Sequence, residues 1–515
     1  MDDQTLIQRG RRGTADSKRL RFWELDEEEL QRLAGSAELA SFESLELKRY
    51  EYSERGLRAI LNSSYISNLR ELVVVPPQRR RDEPRFDDEG AKLLASSPGL
   101  ANLRAMDLSY HRISADGVRA ILNSPYLRQL KELTLVWNPL GLEGVRSIIE
   151  SSNAGQLVAL NLSYTNITDE GIQLLAGSQS LCSLRKLELG NVDVSEEGVD
   201  ALVSAEWFSG LKELTIREGT LSASAVRRLM NGSVGSQIET LNLVSNELDP
   251  AGAEVLFGAP FISQLRELSV DRNKIGKRGI SALVNSPYLE SLEKLGIGGH
   301  TFDVDDIARL VSATTLDGLE CLSLAFADLG DDGAKAMADA ISLPRLKELD
   351  VALNNLGPGA ARAIAESTGL AALEYLELGV NHVGAEGAAD LITSPHLPRL
   401  NRLSLDCNYL VDAGAKAIAG ASEAQKLRWL NLDNNFISDA GAQAIAESPY
   451  LSNLREIILF NNDFGDAGAR ALANSRNFPS LEVLRTGRNA GMTHDAWQEL
   501  LDASAWNGEV VYGYD

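Results

Sequence analysis

Side chains that could do chemistry are present in the sequence, but their spacing favours no catalytic centre. The five histidines are far apart, and His111 and His300 occupy the same place in a repeated pattern described below, where a ring nitrogen can bond the backbone. The motifs HExxH, GxSxG, GxxxxGKS/T and CxxC are absent. Acidic residues are abundant but spread along the chain. We therefore predict a protein that is not an enzyme, with no catalytic residues, no metal and no cofactor.

The three cysteines are too few and too scattered for a disulfide framework. Cys321 and Cys407 should lie on strands three repeats apart, about 14 Å at about 4.8 Å per strand, and Cys182 on a turn. Free thiols, and a start (MDDQTLIQRGRRG) without the apolar core of a secretory signal, predict a cytoplasmic protein. No run of 18 apolar residues occurs, so we expect no membrane span.

The elements that must position any site come from one recurring pattern. In the stretch LRWLNLDNNFISDAGAQAIAESPYL, Leu427 at position 1 is followed by leucines at positions 4 and 6 and by Asn435 at position 9. Position 1 recurs without a break from Leu103 to Leu481, always with a period of 27. A repeat of this regularity predicts one elongated domain rather than several globular ones.

Each repeat is predicted to contain a strand, a turn and a helix. The pattern LxxLxL puts apolar side chains on one face of a strand, and the amide of Asn435 can bond the backbone of the neighbouring repeat. Ser438 and Asp439 then favour the start of a helix, and Ser448 and Pro449 favour its end. Because no repeat can bury its apolar face alone, the repeats must stack.

The pattern LxxLxLxxNxL resembles the leucine-rich repeat signature, and the period with its helical second half resembles the ribonuclease-inhibitor-like subfamily. The resemblance covers about residues 42 to 505. It implies an α/β solenoid, a right-handed horseshoe with a parallel sheet on the concave face and helices on the convex face. Strands about 4.8 Å apart and helices about 8 to 10 Å apart require such curvature.

The domain boundaries follow from the repeat. We predict a disordered basic tail over 1–19, an N-terminal capping half-repeat over 20–41 with a helix over FWELDEEELQRLAGS, and about seventeen repeats over 42–507. An insertion falls near 76–86, and 508–515 should form a C-terminal cap that follows a last helix over THDAWQELLDASAW. Position 9 carries Thr165, Val192 and Gly219 instead of Asn, which predicts irregular spacing around 165–220.

Large apolar side chains on the open face of the predicted sheet are the best candidates for a binding site. At position 8 of three consecutive repeats, Tyr110, Trp137 and Tyr164 should stack about 4.8 Å apart. The same face carries Phe326, Leu353 and Val380 at position 8, and Tyr375, Trp429 and Phe460 elsewhere. Such rings could simply pack on one another across strands, but large apolar groups on an open face favour binding.

The insertion supplies the sharpest basic feature, Arg79, Arg80 and Arg81. Two interpretations stay open for it, a loop kept soluble by its charge and a contact with a partner.

The fold and the open face together predict a scaffold or inhibitor that binds a globular protein partner. The net charge of −23 argues against nucleic acid, and we expect a monomer that binds no membrane. The resemblance leaves one alternative, because some horseshoes of this subfamily are GTPase-activating proteins. Arginine outnumbers lysine, and alanine and glycine are frequent, a composition that indicates a bacterial source.

Overall fold

The computed structural model describes residues 6–7, 10, 18–23, 25–48, 54–76, 86–233, 235, 237–487, 489, 491–501 and 509–511. The chain divides into two compact units, Met1–Leu248 and Asp249–Asp515. The predicted insertion with Arg79, Arg80 and Arg81 lies outside the described residues, apart from Pro76 and Phe86.

The first unit alternates strands with helices. Its strands are β1 (Arg19–Trp23), β2 (Ser44–Lys48), β3 (Glu71–Val75), β4 (Ala105–Asp107), β5 (Glu132–Thr134), β6 (Ala159–Asn161), β7 (Lys186–Gly190), β8 (Glu213–Arg217) and β9 (Thr240–Asn242). Its helices are α1 (Glu27–Gly35), α2 (Glu54–Leu61), α3 (Asp88–Ala95), α4 (Ala115–Leu122), α5 (Gly141–Ile149), α6 (Asp169–Ala176), α7 (Glu196–Ser204) and α8 (Ala223–Gly232). Short 3-10 helices follow at Ala37–Ser41, Pro98–Leu100, Ala154–Gln156 and Phe208–Gly210.

The second unit has the same alternation. Its strands are β10 (Glu267–Ser269), β11 (Lys294–Gly296), β12 (Cys321–Ser323), β13 (Glu348–Asp350), β14 (Tyr375–Glu377), β15 (Arg402–Ser404), β16 (Trp429–Asn431), β17 (Glu456–Ile458), β18 (Val483–Arg485) and β19 (Glu509–Val511). Its helices are α9 (Pro250–Phe257), α10 (Gly276–Val284), α11 (Val304–Val311), α12 (Gly330–Ala340), α13 (Pro358–Glu366), α14 (Gly384–Thr393), α15 (Val411–Gly420), α16 (Asp439–Glu447), α17 (Asp466–Ala473) and α18 (His494–Leu501). Short 3-10 helices lie at Pro260–Gln264, Thr314–Leu316, Thr368–Leu370 and Ser422–Lys426.

Within each unit, every strand pairs in parallel with the next strand along the chain, so the predicted α/β solenoid of leucine-rich repeats is confirmed as the fold of both. The register follows the sequence period, as in Leu133 opposite Leu160 and Leu376 opposite Leu403. The leucines at positions 1, 4 and 6 are buried between strands and helices, and each contributes about 1.5–3 kcal/mol by leaving water.

An asparagine at position 9 joins its repeat to the one before it. The buried amide of Asn354 donates to the carbonyls of Leu324 (2.8 Å) and Ala352 (3.0 Å), and its oxygen accepts from the N–H groups of Ala327 (2.8 Å) and Leu329 (3.2 Å). These bonds satisfy backbone groups that a tight buried turn would otherwise leave unpaired.

Histidine can replace that asparagine. The Nε2 atoms of His111 and His300 lie 3.0 Å from the carbonyls of Val74 and Val270. Burial lowers the pKa of His300, which favours a neutral ring. The predicted structural role of both histidines is confirmed.

In the two repeats with Val192 and Gly219 at position 9, the strands are longer. Strands β7 and β8 have five residues each, whereas the neighbouring β6 and β9 have three. The register keeps the period of the other repeats, with Leu187 opposite Leu214. The predicted irregularity around 165–220 therefore takes the form of extra strand pairing and not of a slip in register.

The N-terminal cap differs from the prediction. Phe22 belongs to β1, and the helix begins only at Glu27, after Asp26 closes a capping box with Glu29. Leu20 pairs with Leu45, which is a shorter step than the 27-residue period of the internal repeats.

The predicted disorder of residues 1–19 is wrong where the structure describes them. Leu6, Ile7 and Gly10 are helical, and the side chains of Leu6 and Ile7 are only 2% and 1% exposed. Residues 1–5, 8–9 and 11–17 lie outside the described part of the chain.

At the other end, β19 pairs in parallel with β18, with Leu484 opposite Val510. The predicted last helix is present as α18, and its predicted continuation over 502–506 lies outside the described residues, as do 507–508 and 512–515. Among the described helices, none is long and apolar enough to cross a membrane.

Candidate functional site

Position 8, which lies in the turn after each strand, has a left-handed backbone in every repeat from Tyr110 to Asn461, with φ between 47° and 74°. This conformation is easy for glycine and tolerable for asparagine, but it costs most other residues about 1–2 kcal/mol. Trp137 (φ 58°), Phe326 (57°) and Val380 (55°) adopt it nonetheless. Their side chains are consequently held out from the sheet.

In the first unit, Tyr110, Trp137 and Tyr164 form a stacked row at position 8. The ring centroids of Tyr110 and Trp137 are 6.3 Å apart at 16°, and those of Trp137 and Tyr164 are 4.5 Å apart at 10°. The indole is 50% exposed. Its backbone N–H donates to the carbonyl of Ser163 (3.2 Å), which ties the row to the next repeat. The predicted stacking is confirmed, with unequal spacing.

In the second unit, position 8 carries an exposed apolar row. Phe326 is 62% exposed, Leu353 41% and Val380 45%. Each donates its backbone N–H to the following repeat, as Phe326 does to Ala352 at 2.9 Å. The row is therefore anchored through its backbone while its side chains stay open to solvent.

Tyr375 and Trp429 flank an arginine at position 3 of the same face. The Arg402 guanidinium carbon lies 4.4 Å from the Tyr375 ring centre and 5.5 Å from that of Trp429, and the two rings meet edge to face at 5.9 Å. The Tyr375 hydroxyl donates to Glu377. The pKa of Tyr375 is raised above its ordinary value. Burial is the larger cause, and the nearby Glu377 carboxylate is the second. Both predicted aromatics thus belong to one cation–π cluster.

The prediction that Phe460 belongs to the binding surface is wrong. Its side chain is only 4% exposed, so it belongs to the core beside β17 and offers no contact area to a partner.

Sequence reasoning missed a second stacked row, at position 10 of the second unit. His382 and Tyr409 stack at 5.4 Å, and Tyr409 and Phe436 at 5.8 Å. Tyr409 is 56% exposed and Phe436 48%, both with left-handed backbones (φ 57° and 58°). Three aromatic rings that recur with the period of the repeat were the signal that could have revealed it.

The cysteines and clusters of metal-ligating side chains are the remaining candidates for chemistry. Cys182, Cys321 and Cys407 are free, as predicted. Burial, which is the larger cause, and the charge of Glu348 raise the pKa of Cys321 to about 11. This shift disfavours the reactive thiolate. Within the described ranges, no group of three or more His, Cys, Asp or Glu side chains could hold a metal ion.

The fold and this open face define the class of protein. Seven stretches match the family model described as Leucine Rich repeat, namely residues 99–122, 157–176, 263–284, 319–338, 343–365, 423–446 and 450–473. Together with the strand–helix repeat of both units, they show that the chain is built from leucine-rich repeats.

Two solved structures are similar to the chain. One is the complex of Rad7 and Elc1 in yeast, with 15% identity, a TM-score of 0.43, and coverage of 79% of this chain and 90% of that chain. The other is an internalin, InlF, from Listeria monocytogenes strain 4b F2365, with 16% identity, a TM-score of 0.30, and coverage of 83% and 95%. Neither likeness bears on what this chain binds. The search of curated proteins found no match.

Proposed function

We propose that this leucine-rich repeat protein acts without catalysis, as a scaffold or inhibitor that binds a globular protein partner on the sheet face opposite its helices. The observation that carries the proposal is the stacked row of Tyr110, Trp137 and Tyr164, with the central indole half exposed. Its neighbours already hold the indole in one orientation, so binding costs it little side-chain freedom. Large rings held in this way supply much of the free energy of protein association.

The backbone supports the same interpretation. Asn191, Asn434 and Asn461 adopt the left-handed conformation at position 8 in other repeats, so asparagine fits that position. Trp137 adopts it at a cost of about 1–2 kcal/mol. Because the backbone of Trp137 is in an unfavourable conformation, this residue contributes little to folding stability. Its presence at this position therefore favours a role in recognition.

The second unit offers contact area of the same kind. The apolar row of Phe326, Leu353 and Val380 and the aromatic pair of Tyr409 and Phe436 are all exposed by two fifths or more. Large exposed apolar groups in neighbouring repeats favour a protein partner over a small ligand.

The finer features of the proposal rest on the sequence. We place the chain in the ribonuclease-inhibitor-like subfamily because of the period and helical second half of its repeat, and in a bacterial cytoplasm because of its composition and free thiols. Its net charge of −23 favours a partner with basic patches over nucleic acid, and we propose a monomer.

A pull-down from lysate of the native host tests the proposal. Wild-type chain, Trp137→Asn and Ser245→Asn are immobilised in parallel, and the retained proteins are compared by mass spectrometry. Ser245 is a matched control, because it has the same backbone conformation (φ 57°) without a ring. A protein retained by wild type and by Ser245→Asn but lost from Trp137→Asn supports the proposal. Identical retention by all three chains contradicts it.

A further inference from the structure

Exposed apolar and aromatic side chains form a strip along the turns that follow the strands of the second unit. The strip occupies position 8 in three consecutive repeats and position 10 from the third of these onward. The two rows meet at Val380 and His382, which lie two residues apart in one turn. We call the following exposed residues the rim strip: Phe326, Leu353, Val380, His382, Tyr409 and Phe436. Large exposed patches of this kind mark interaction sites.

The backbone of the rim strip is unfavourable for the residues that it carries. Five of them have a left-handed backbone, with φ between 55° and 58°, namely Phe326, Leu353, Val380, Tyr409 and Phe436. Asn434 at position 8 and Asn355 at position 10 adopt the same conformation in neighbouring repeats. Because asparagine fits this backbone better, folding stability does not account for large apolar side chains there. Strained residues of this kind favour a role in recognition.

The spacing along the rim strip matches one turn of an α-helix. The ring centres of His382 and Tyr409 are 5.4 Å apart, and those of Tyr409 and Phe436 are 5.8 Å apart. A helix rises about 5.4 Å per turn, whereas an extended chain returns to the same face about every 6.6 Å. A helix along the strip would therefore present one apolar side chain to each repeat. The four repeat steps from Phe326 to Phe436 require about 22 Å, or about 15 helical residues.

The turns that carry the rim strip contain acidic residues and no lysine or arginine. This holds from position 8 to position 15 in each of the repeats that begin at Leu319 to Leu454. Asp328 and Asp463 are exposed at position 10, on either side of the row of His382, Tyr409 and Phe436. Within the described part of the chain, neither carboxylate forms an ion pair. A ligand that combines apolar and basic residues complements this surface, whereas an acidic ligand is repelled.

We propose that the rim strip binds a basic amphipathic helix of the protein partner. Apolar side chains from successive turns of that helix contact the strip, and lysine or arginine residues near its two ends face Asp328 and Asp463. Recognition of an amphipathic helix uses such anchors three and four residues apart. The site rests on the proposed function, because its ligand is a segment of a protein partner, but it does not need the stacked row of the first unit.

Three synthetic peptides of about 15 residues test the site by fluorescence anisotropy with the full chain. The first peptide has leucines alternately three and four residues apart and lysine elsewhere. The second has the same composition in scrambled order, and the third has glutamate in place of lysine. The first should bind at least about tenfold more tightly than the second, since only the first presents an apolar stripe, and the third should not bind. No binding of the first, equal affinity for the first two, or binding of the third overturns the proposal.

Variants locate the binding of the first peptide. Phe326→Asn and Phe436→Asn should each weaken it about tenfold without lowering the melting temperature, because asparagine suits a left-handed backbone. Tyr126→Asn is the matched control, since it removes an exposed ring between α4 and β5, away from the rim strip. Unchanged affinity in both strip variants, or an equal loss in the control, overturns the proposal.

The acidic residues are tested in the same way. Asp328→Asn and Asp463→Asn should each weaken the first peptide about threefold, as expected for an exposed ion pair. Asp317→Asn, which removes an exposed acid before β12, should leave the affinity unchanged. An effect of Asp317→Asn as large as that of the other two would overturn the basic helix as the ligand.

Trp137→Asn separates this site from the proposed function. The first peptide should bind Trp137→Asn as tightly as wild type, because the rim strip belongs to the second unit. If the peptide depends on Phe326 and Phe436 while the pull-down is unaffected by Trp137→Asn, the rim strip stands and the stacked row fails. If the pull-down depends on Trp137 but the first peptide does not bind, the rim strip alone fails.

Discussion

Replacing Asn354 by alanine should destabilise the second unit more than a typical surface substitution. Without the amide, the N–H groups of Ala327 and Leu329 and the carbonyl of Leu324 lose their side-chain partner inside the protein. The Ala352 carbonyl is less affected, because it also accepts from the N–H of Phe326 at 2.9 Å. Three buried groups at the low end of about 1–3 kcal/mol each predict a loss of about 3 kcal/mol in the free energy of unfolding.

Urea denaturation of wild type and Asn354→Ala measures that loss, with Asn453→Ala as the matched control. Asn453 is exposed and makes a single bond to the carbonyl of Gln425 at 2.8 Å, so its loss should cost less than about 1 kcal/mol. Hydrogen–deuterium exchange should be faster at the amides of Ala327 and Leu329 in Asn354→Ala. Equal stability of the two variants, with both amides still protected, would refute the account of the asparagine column.

Three further outcomes are expected. Burial acts to raise the pKa of Asp412, but hydrogen bonds from Ser438 outweigh burial. The pKa of Asp412 is therefore below its ordinary value of 3.8. The stability that Asp412 contributes is therefore present above about pH 4 and lost as the pH falls through its folded pKa, so Asp412→Asn should flatten the acid limb of a melting-temperature profile. An unchanged acid limb would contradict this. Iodoacetamide at pH 8 should modify exposed Cys182 well before Cys321, as followed by mass spectrometry, and the reverse order would show that burial does not control reactivity. Phe436→Asn should keep or raise the melting temperature, since asparagine suits φ 58°, whereas a large drop would assign the ring to the core.

The repeat and its core could be predicted because their physical cause is local and periodic. Leu133 and Leu160 are buried at equal positions, since each strand must place the same side chains against the helices. The period does not extend to β1, because the step from β1 to β2 is shorter than the internal period and places Leu20 opposite Leu45. A terminal repeat has a neighbour on one side only, so its length is less constrained than that of an internal repeat.

The candidate site was predictable in position but not in conformation. Trp137 stacks as its spacing indicates, yet nothing about a tryptophan suggests a left-handed backbone. Asn191 and Gly299 in the same column were the available signal, because both residue types favour that conformation. For Phe460 the predicted position on the surface was itself wrong. Its burial depends on how the loop after β17 packs, which the sequence pattern does not give.

The affinity of a purified partner for Trp137→Asn tests the central claim most directly. Isothermal titration calorimetry is run on wild type, Trp137→Asn and Ser245→Asn, with the melting temperature of each chain measured alongside. The account predicts at least about a tenfold loss of affinity for Trp137→Asn, with no loss for Ser245→Asn and no large fall in either melting temperature. Full affinity in a folded Trp137→Asn chain would contradict the claim that the stacked row binds the partner.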